Sequence, residues 1–309
     1  MAIVTDEVRV RVPATSANLG PGFDALGLAL ALHDEVSAVA TAAGTVVEVT
    51  GEGAADLPTG ADHLVARAME AAFDALGERP AGVRLRCHNR IPQARGLGSS
   101  SAAIVAGLLL GRALVAGGAG RLTDAEVLAL ATGIEGHPDN VAPCQLGGFT
   151  IAWGTRAVRL EPASSVRPVV FVPGLRGLTA HARAALPGSV PHRDAAFNAG
   201  RAALLVHALT AAPDLLFEAT EDRLHQDYRA GGMPASAALV ARLREAGVPA
   251  VISGAGPSVL AFGVEGWTPP DPGPDWSVLV LSVDGAGATV GSGTLGHAER
   301  DPVAAGRKS

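Results

Sequence analysis

Lysine is almost absent from this chain: among 309 residues only Lys308 is a lysine, and every other basic side chain is Arg. That excludes the common P-loop, which needs a Lys just after its last Gly. Cysteine is nearly as scarce. Cys87 and Cys144 are too few for a disulfide framework or a zinc centre, and they suit a reducing cytoplasm. Positive charge is not in surplus either. The formal net charge is −6 and the basic residues are scattered, which argues against a nucleic-acid partner. No apolar run reaches membrane-spanning length, and Asp6 and Glu7 stand where a signal peptide would need an apolar core. The expectation is a cytoplasmic protein without a membrane partner. There is no internal repeat. What the chain does have is apolar mass: 48% hydrophobic against 17% charged residues, long enough for two domains or one large one.

Alternation over Val8-Arg9-Val10-Arg11-Val12 predicts a strand that ends at Pro13. Residues 45–49 and 83–87 look similar. Helices are expected over 62–77, ended by Gly77, over 99–116, and over 123–134, where Thr123-Asp124-Ala125-Glu126 fits a capping box. Residues 148–153 and 157–160 read as paired strands. After Pro162 the pattern restarts: strand 167–172, helices 179–186, 191–210 and 235–246, then strands 249–253, 258–264 and 277–283. This order suits a layered α+β protein with domains at 1–162 and 163–309. Residues 266–275 read as a rigid surface loop, and the tail is expected to fray after about 291.

The richest segment is Ile91-Pro92-Gln93-Ala94-Arg95-Gly96-Leu97-Gly98-Ser99-Ser100-Ser101-Ala102-Ala103. Gly96 and Gly98 let the main chain approach a ligand closely. The N–H groups of residues 97–101 then stand without partners at the start of an apolar helix, a terminus suited to phosphate. The alternative is a capped core helix with a flexible entry. A dinucleotide-binding fingerprint fits poorly, because its third Gly is missing at the required offset.

Three further segments carry polar groups. Pro13 to Asp24 holds a tight turn around Gly20-Pro21-Gly22 that can present Asn18 and Asp24 to one pocket, or simply be an Asx-rich turn. Glu135-Gly136-His137-Pro138-Asp139-Asn140-Val141-Ala142-Pro143 reads as a short polar loop. Glu135 suits Mg²⁺, a hard cation that prefers oxygen. His137 is a general base, a metal ligand or a structural residue, and Asp139 can cap the short segment after it. Val251 to Val259 is a glycine turn between two strands. It is either a plain hairpin or a second wall packed against the phosphate loop.

Taken together and in this order, the three glycine motifs resemble the GHMP kinase superfamily of small-molecule kinases. Asn18-Leu19-Gly20-Pro21-Gly22-Phe23-Asp24 and Glu135-Gly136-His137-Pro138-Asp139-Asn140-Val141-Ala142-Pro143 look most like its homoserine kinase family. Residues 178–187 and 224–229 match that family too. Three positions depart from its pattern: Arg95 and Ser101 where smaller residues are usual, and His63 where Asn is usual.

The resemblance implies an α+β, two-domain GHMP kinase fold. Its N-terminal domain would be like ribosomal protein S5 domain 2, its C-terminal domain ferredoxin-like, with the active site between them. It implies ATP-dependent phosphorylation of the L-homoserine hydroxyl, on the way to threonine. ATP would meet Pro92, Gly96, Leu97, Gly98, Ser99, Ser100, Ser101, Ala102 and His63, with Mg²⁺ on Ser100 and Glu135. The amino acid would meet Asn18, Asp24, His137, Asp139, Asn140 and Thr179, with its carboxylate on Arg183 and Arg229. Asn18 and Asn140 would orient the hydroxyl without a dedicated base, since an amide accepts no proton near neutral pH. The implied partner is the small substrate, with a homodimer as a further expectation. Two alternatives are a mevalonate-type kinase and a catalytically silent nucleotide-binding module. The first should show a Lys near the first motif and an Asp at position 140, and neither is present.

Overall fold

The computed structural model describes residues 2–177 and 179–292, without the side chains of Thr179, Ala180 and Ser292. Among the described residues the first sheet has seven strands. β1 (Val8–Ala17) lies beside β2 (Leu26–Thr41), and β3 (Gly44–Gly51) pairs in parallel with β4 (Gly82–Asn89), which itself pairs with β2. β5 (Phe149–Trp153) and β6 (Arg156–Leu160) form a hairpin on β2. Helices α1 (Leu64–Leu76), α2 (Ser99–Leu114), α3 (Gly118–Arg121), α4 (Asp124–Glu135) and α5 (Pro138–Leu146) belong to this half of the chain. Phe73, Met69, Ile104 and Leu108 from α1 and α2 are buried with Val10 and Leu85 of the sheet.

The second sheet is antiparallel: β10 (Trp276–Val280), β7 (Arg167–Pro173), β9 (Val259–Gly263), β8 (Ala250–Ile252). Between β7 and β8 run α6 (Thr179–Ala184), α7 (His192–Thr210), α8 (Leu216–Ala219), α9 (Gln226–Arg229) and α10 (Pro234–Glu245). One face of this sheet packs Val169, Phe171 and Val259 against Leu239 and Leu243 of α10. Its other face, through Val170, Leu260 and Phe262, joins Leu205 and Leu209 of α7 in the core of the first half.

Two expectations need correction, the end of β1 and the polar loop, and two features of the first sheet come in addition. β1 does not end at Pro13 but runs to Ala17, with a register shift between Pro13 and Ala14. Its pairing with β11 (Thr289–Ser292) stops at Arg11, so the missing N–H of Pro13 is tolerated. β2 was not expected, because Leu26 to Leu30 are all buried and a strand covered on both faces shows no alternation. The polar segment after Gly136 is not a loop but helix α5, entered by Pro138 at its first position, where no N–H is required. β11 (Thr289–Ser292) pairs with β1, and Val283 bridges Leu30, so the chain returns to the first sheet. Gly291 and Ser292 are thus strand, and the rest of the expected frayed tail lies outside the described residues.

Candidate active site

The glycine loop enters α2 through Gly98, whose φ of 70° is left-handed and which supplies no side-chain cap. The first-turn N–H groups of α2 therefore remain available for an anion. Both loop glycines are required by close approach. A Cβ on Gly98 would collide with the Thr15 hydroxyl, and one on Gly96 with the carbonyl of Ser253. The turn 253–258 does pack on this loop: Ser253 Oγ donates to Gly96 O at 2.6 Å, and Ser258 N donates to Arg95 O at 3.3 Å.

A cleft of about 600 Å³ opens over this loop. It is lined by Gly96, Leu97, Gly98, Ser99 and Ser100, by Asn18, Asp24, Arg183 and Arg229, and by Glu135, His137, Asp139 and Asn140. Pro92, Ser101 and Ala102 do not line it. Thr179 opens α6, and its side chain lies outside the described residues. Asn18, Asp24 and Ala94 in the cleft wall, with the neighbouring Leu19, are the described non-glycine residues with left-handed backbone. Such clustering is usual where a site constrains the chain.

Glu135 ends α4 and accepts from Ser100 Oγ at 2.8 Å and Ser101 Oγ at 3.0 Å. Asp139 lies in the first turn of α5, 2% exposed, and takes His137 Nδ1 at 2.6 Å. The hydrogen bond that His137 donates to the Asp139 carboxylate raises the His137 pKa above its usual value. Asn140 Oδ1 accepts from Thr15 Oγ1 at 2.8 Å. Its amide nitrogen has no hydrogen-bond partner among the described residues and is free to donate.

Also in the cleft, Asp24 and Arg183 form a two-fold pair, at 2.7 and 3.0 Å. That hydrogen bonding holds the guanidinium even more firmly protonated. Arg229 is 2% exposed and donates to Ala182 O at 3.1 Å and to His225 Nδ1 at 3.1 Å. Burial, and then the nearby Arg183, lower its pKa. His225 in turn donates from Nε2 to Gly20 O at 2.8 Å, which fixes its tautomer, and burial keeps it neutral by lowering its pKa. Phe23 lies under both arginines, 5.8 Å from Arg183 and 5.2 Å from Arg229. Asn18 spends its amide on the turn, donating to Gly254 O at 2.9 Å and accepting from Asp24 N at 2.9 Å.

Thr15, Phe23 and His225 were not singled out in the sequence. Thr15 and Phe23 sit inside quoted motifs, but their partners are 125 residues or more away in the chain. His225 stands within a matching segment four residues before Arg229, a spacing that places both on one helical face.

A second, more apolar cavity adjoins the first across Ala94, Ser99 and Ser100. His63, Leu64, Val65, Ala102 and Asp34 line it. His63 caps α1 by accepting at Nδ1 from Val65 N, so its proton sits on Nε2, which has no partner among the described residues. Burial lowers the pKa of His63 and raises that of Asp34 to about 6. The two cavities thus place an apolar chamber beside the uncapped start of α2.

Comparison with known proteins finds the GHMP kinases N terminal domain at residues 63–148 and the GHMP kinases C terminal domain at 201–272. Homoserine kinase of Streptomyces avermitilis is 59% identical over 290 residues, covering 92% of this chain and 95% of that protein. The crystal structure of homoserine kinase from Cytophaga hutchinsonii superposes with a TM-score of 0.79 at 24% identity, over 94% of this chain and 99% of that one. The Methanococcus jannaschii mevalonate kinase shares the fold with a TM-score of 0.62 at 11% identity, over 91% and 98%.

Proposed function

The chain belongs to the GHMP kinase family, and within it to the homoserine kinases; from that premise we infer that it transfers the γ-phosphoryl group of ATP to the side-chain hydroxyl of L-homoserine. The products are ADP and O-phospho-L-homoserine, a precursor of threonine. The observation that carries this reading at the level of geometry is one cleft holding both an uncapped helix start and a paired carboxylate and guanidinium.

Phosphoryl transfer needs positioning and charge neutralisation more than covalent chemistry. The β- and γ-phosphates rest on the N–H groups of the glycine loop and the first turn of α2. The base lies in the adjoining apolar cavity, where His63 Nε2 offers a donor. The Ser100 hydroxyl and the Glu135 carboxylate are hard oxygen donors 2.8 Å apart, a set that fits Mg²⁺. That ion would neutralise phosphate charge. Among the described residues no group of three His, Cys, Asp or Glu could hold a metal, so phosphate and water must complete its shell.

Homoserine brings both a carboxylate and an ammonium. Asp24 and Arg183, already paired, exchange each other for the two ends of that zwitterion, and Arg229 adds a second cation for the carboxylate. Phe23 fixes both guanidinium planes from below. Asn140 donates its free amide N–H to the hydroxyl oxygen, and Asn18 holds the turn that carries Asp24. The hydroxyl proton passes to a γ-phosphate oxygen or to solvent as the O–P bond forms.

Replacing Arg183 or Arg229 by Ala is expected to lower kcat/KM for homoserine roughly 30-fold or more, since losing one partner of a desolvated charge pair costs about 2–5 kcal/mol. Nucleotide affinity should change little. Steady-state kinetics on both variants check this, and unchanged kcat and KM for homoserine in both would remove the clamp.

A further inference from the structure

One side chain joins the glycine loop to the segment that leads to Arg183. Arg95 donates from Nε to Pro173 O at 3.0 Å, from one terminal nitrogen to Gln93 O at 2.7 Å, and from the other to Gly174 O at 2.9 Å. Pro173 ends β7, and the chain runs from it into α6, which carries Arg183. A backbone bond reinforces the same junction, from Gly177 N to Ala94 O at 2.7 Å.

Two properties separate Arg95 from an ordinary surface arginine. Its three partners are neutral carbonyls, and among the described residues it forms no ion pair with a carboxylate. It also stands in the wall of the cleft, beside the loop assigned to phosphate. A guanidinium can bridge carbonyls of two segments because its five N–H donors lie in a rigid plane; an ammonium has no such fork.

We propose that Arg95 is a positioning residue that couples the two halves of the site, so that nucleotide on the glycine loop and homoserine at Asp24 and Arg183 favour one another's binding. The loop and the Pro173–Gly174 segment shift together when a single planar group holds both. A ligand that selects one position of the loop then selects the matching position of the segment before α6. This inference rests on the homoserine kinase reading.

The test is titration calorimetry of homoserine, alone and with a saturating non-hydrolysable ATP analogue plus Mg²⁺. In the native protein the nucleotide is expected to tighten homoserine about 5-fold or more, and homoserine to tighten the nucleotide by the same factor. In Arg95→Ala each ligand alone should bind within about 3-fold of the native value, while the coupling falls below about 2-fold. Arg95→Lys keeps the charge but not the fork, and should lose the coupling as well. It carries the test if thermal melting shows that the Ala variant does not fold. Coupling kept in Arg95→Lys would overturn the proposal, as would a native protein without coupling. A loss of about 10-fold or more in nucleotide affinity alone would also overturn it, by making Arg95 a direct phosphate ligand. Failure of the native protein to phosphorylate homoserine would instead overturn the reading on which the proposal rests.

Discussion

At Asn140 a single amide is proposed to hold the acceptor hydroxyl. Its oxygen accepts from Thr15, and its N–H, unpartnered among the described residues, is a donor that holds a hydroxyl oxygen but takes no proton. Asn140→Ala should slow turnover, while His137→Ala and Asp139→Asn should keep substantial activity. A fall of about 10²–10⁴-fold in either of those two would identify a side-chain base. The pair itself has its own signature. Asp139 raises the pKa of His137, so the pair stabilises the fold fully below the ordinary histidine value of 6.5 and the gain is lost as pH rises through the raised one. Proton NMR of the His137 ring should give a midpoint above 6.5 that falls in Asp139→Asn. A native midpoint at or below the ordinary value would mean that the pair does not form in solution. Asn18, Asp24, Glu135 and Asn140 were legible as residues, because polar side chains packed around tight turns stand out in an apolar chain. Thr15 and Phe23 were not. A threonine in a strand and a phenylalanine beside a glycine look like packing until the partners arrive from distant segments.

At the scale of elements, the helix starts did most to make the site readable. Gly77 closes α1, and Thr123 opens α4 with a reciprocal capping box. Glu135 is placed by the far end of that same α4. The elements missed were those whose local signals pointed elsewhere: β2 lacks alternation where both its faces are covered, and α5 contains Pro138 and Pro143. The proline at the start of α5 is what turns the expected loop into a helix whose first turn carries Asp139 and Asn140. The meeting of α2 and α4 frames the metal prediction. Glu135→Gln removes a charged oxygen from the proposed Mg²⁺ site, so kcat should fall and the Mg²⁺ needed for half-maximal rate should rise. Ser100→Ala should act in the same direction. Wild-type Mg²⁺ titration curves in both variants would move the metal to other ligands, with Asp139 the next to test.

At the scale of the whole molecule, the site depends on two sheets that share one core and on a chain that finishes in the sheet where it began. The return is pinned by His33 Nε2 on Asp284 at 2.7 Å, and by Ala286 N and Gly287 N on the same carboxylate at 3.0 and 2.6 Å. Burial alone would raise the pKa of Asp284, but these hydrogen bonds prevail and lower it. Nothing in the local sequence announced this return, since pairing of Val8–Arg11 with residues near 290 is set by tertiary packing. The fold is shared with a mevalonate kinase, so the proposed selection of the acceptor falls to the cleft wall, where Asp24, Arg183 and Arg229 would ask for a free carboxylate and a free ammonium on one molecule. The measurement that bears most directly on this is a coupled ADP-release assay of the purified protein with ATP and Mg²⁺ over homoserine, mevalonate, threonine and shikimate. The account predicts ADP release with homoserine well above that with the other three. Release driven best by mevalonate or shikimate, or none with homoserine, would contradict it.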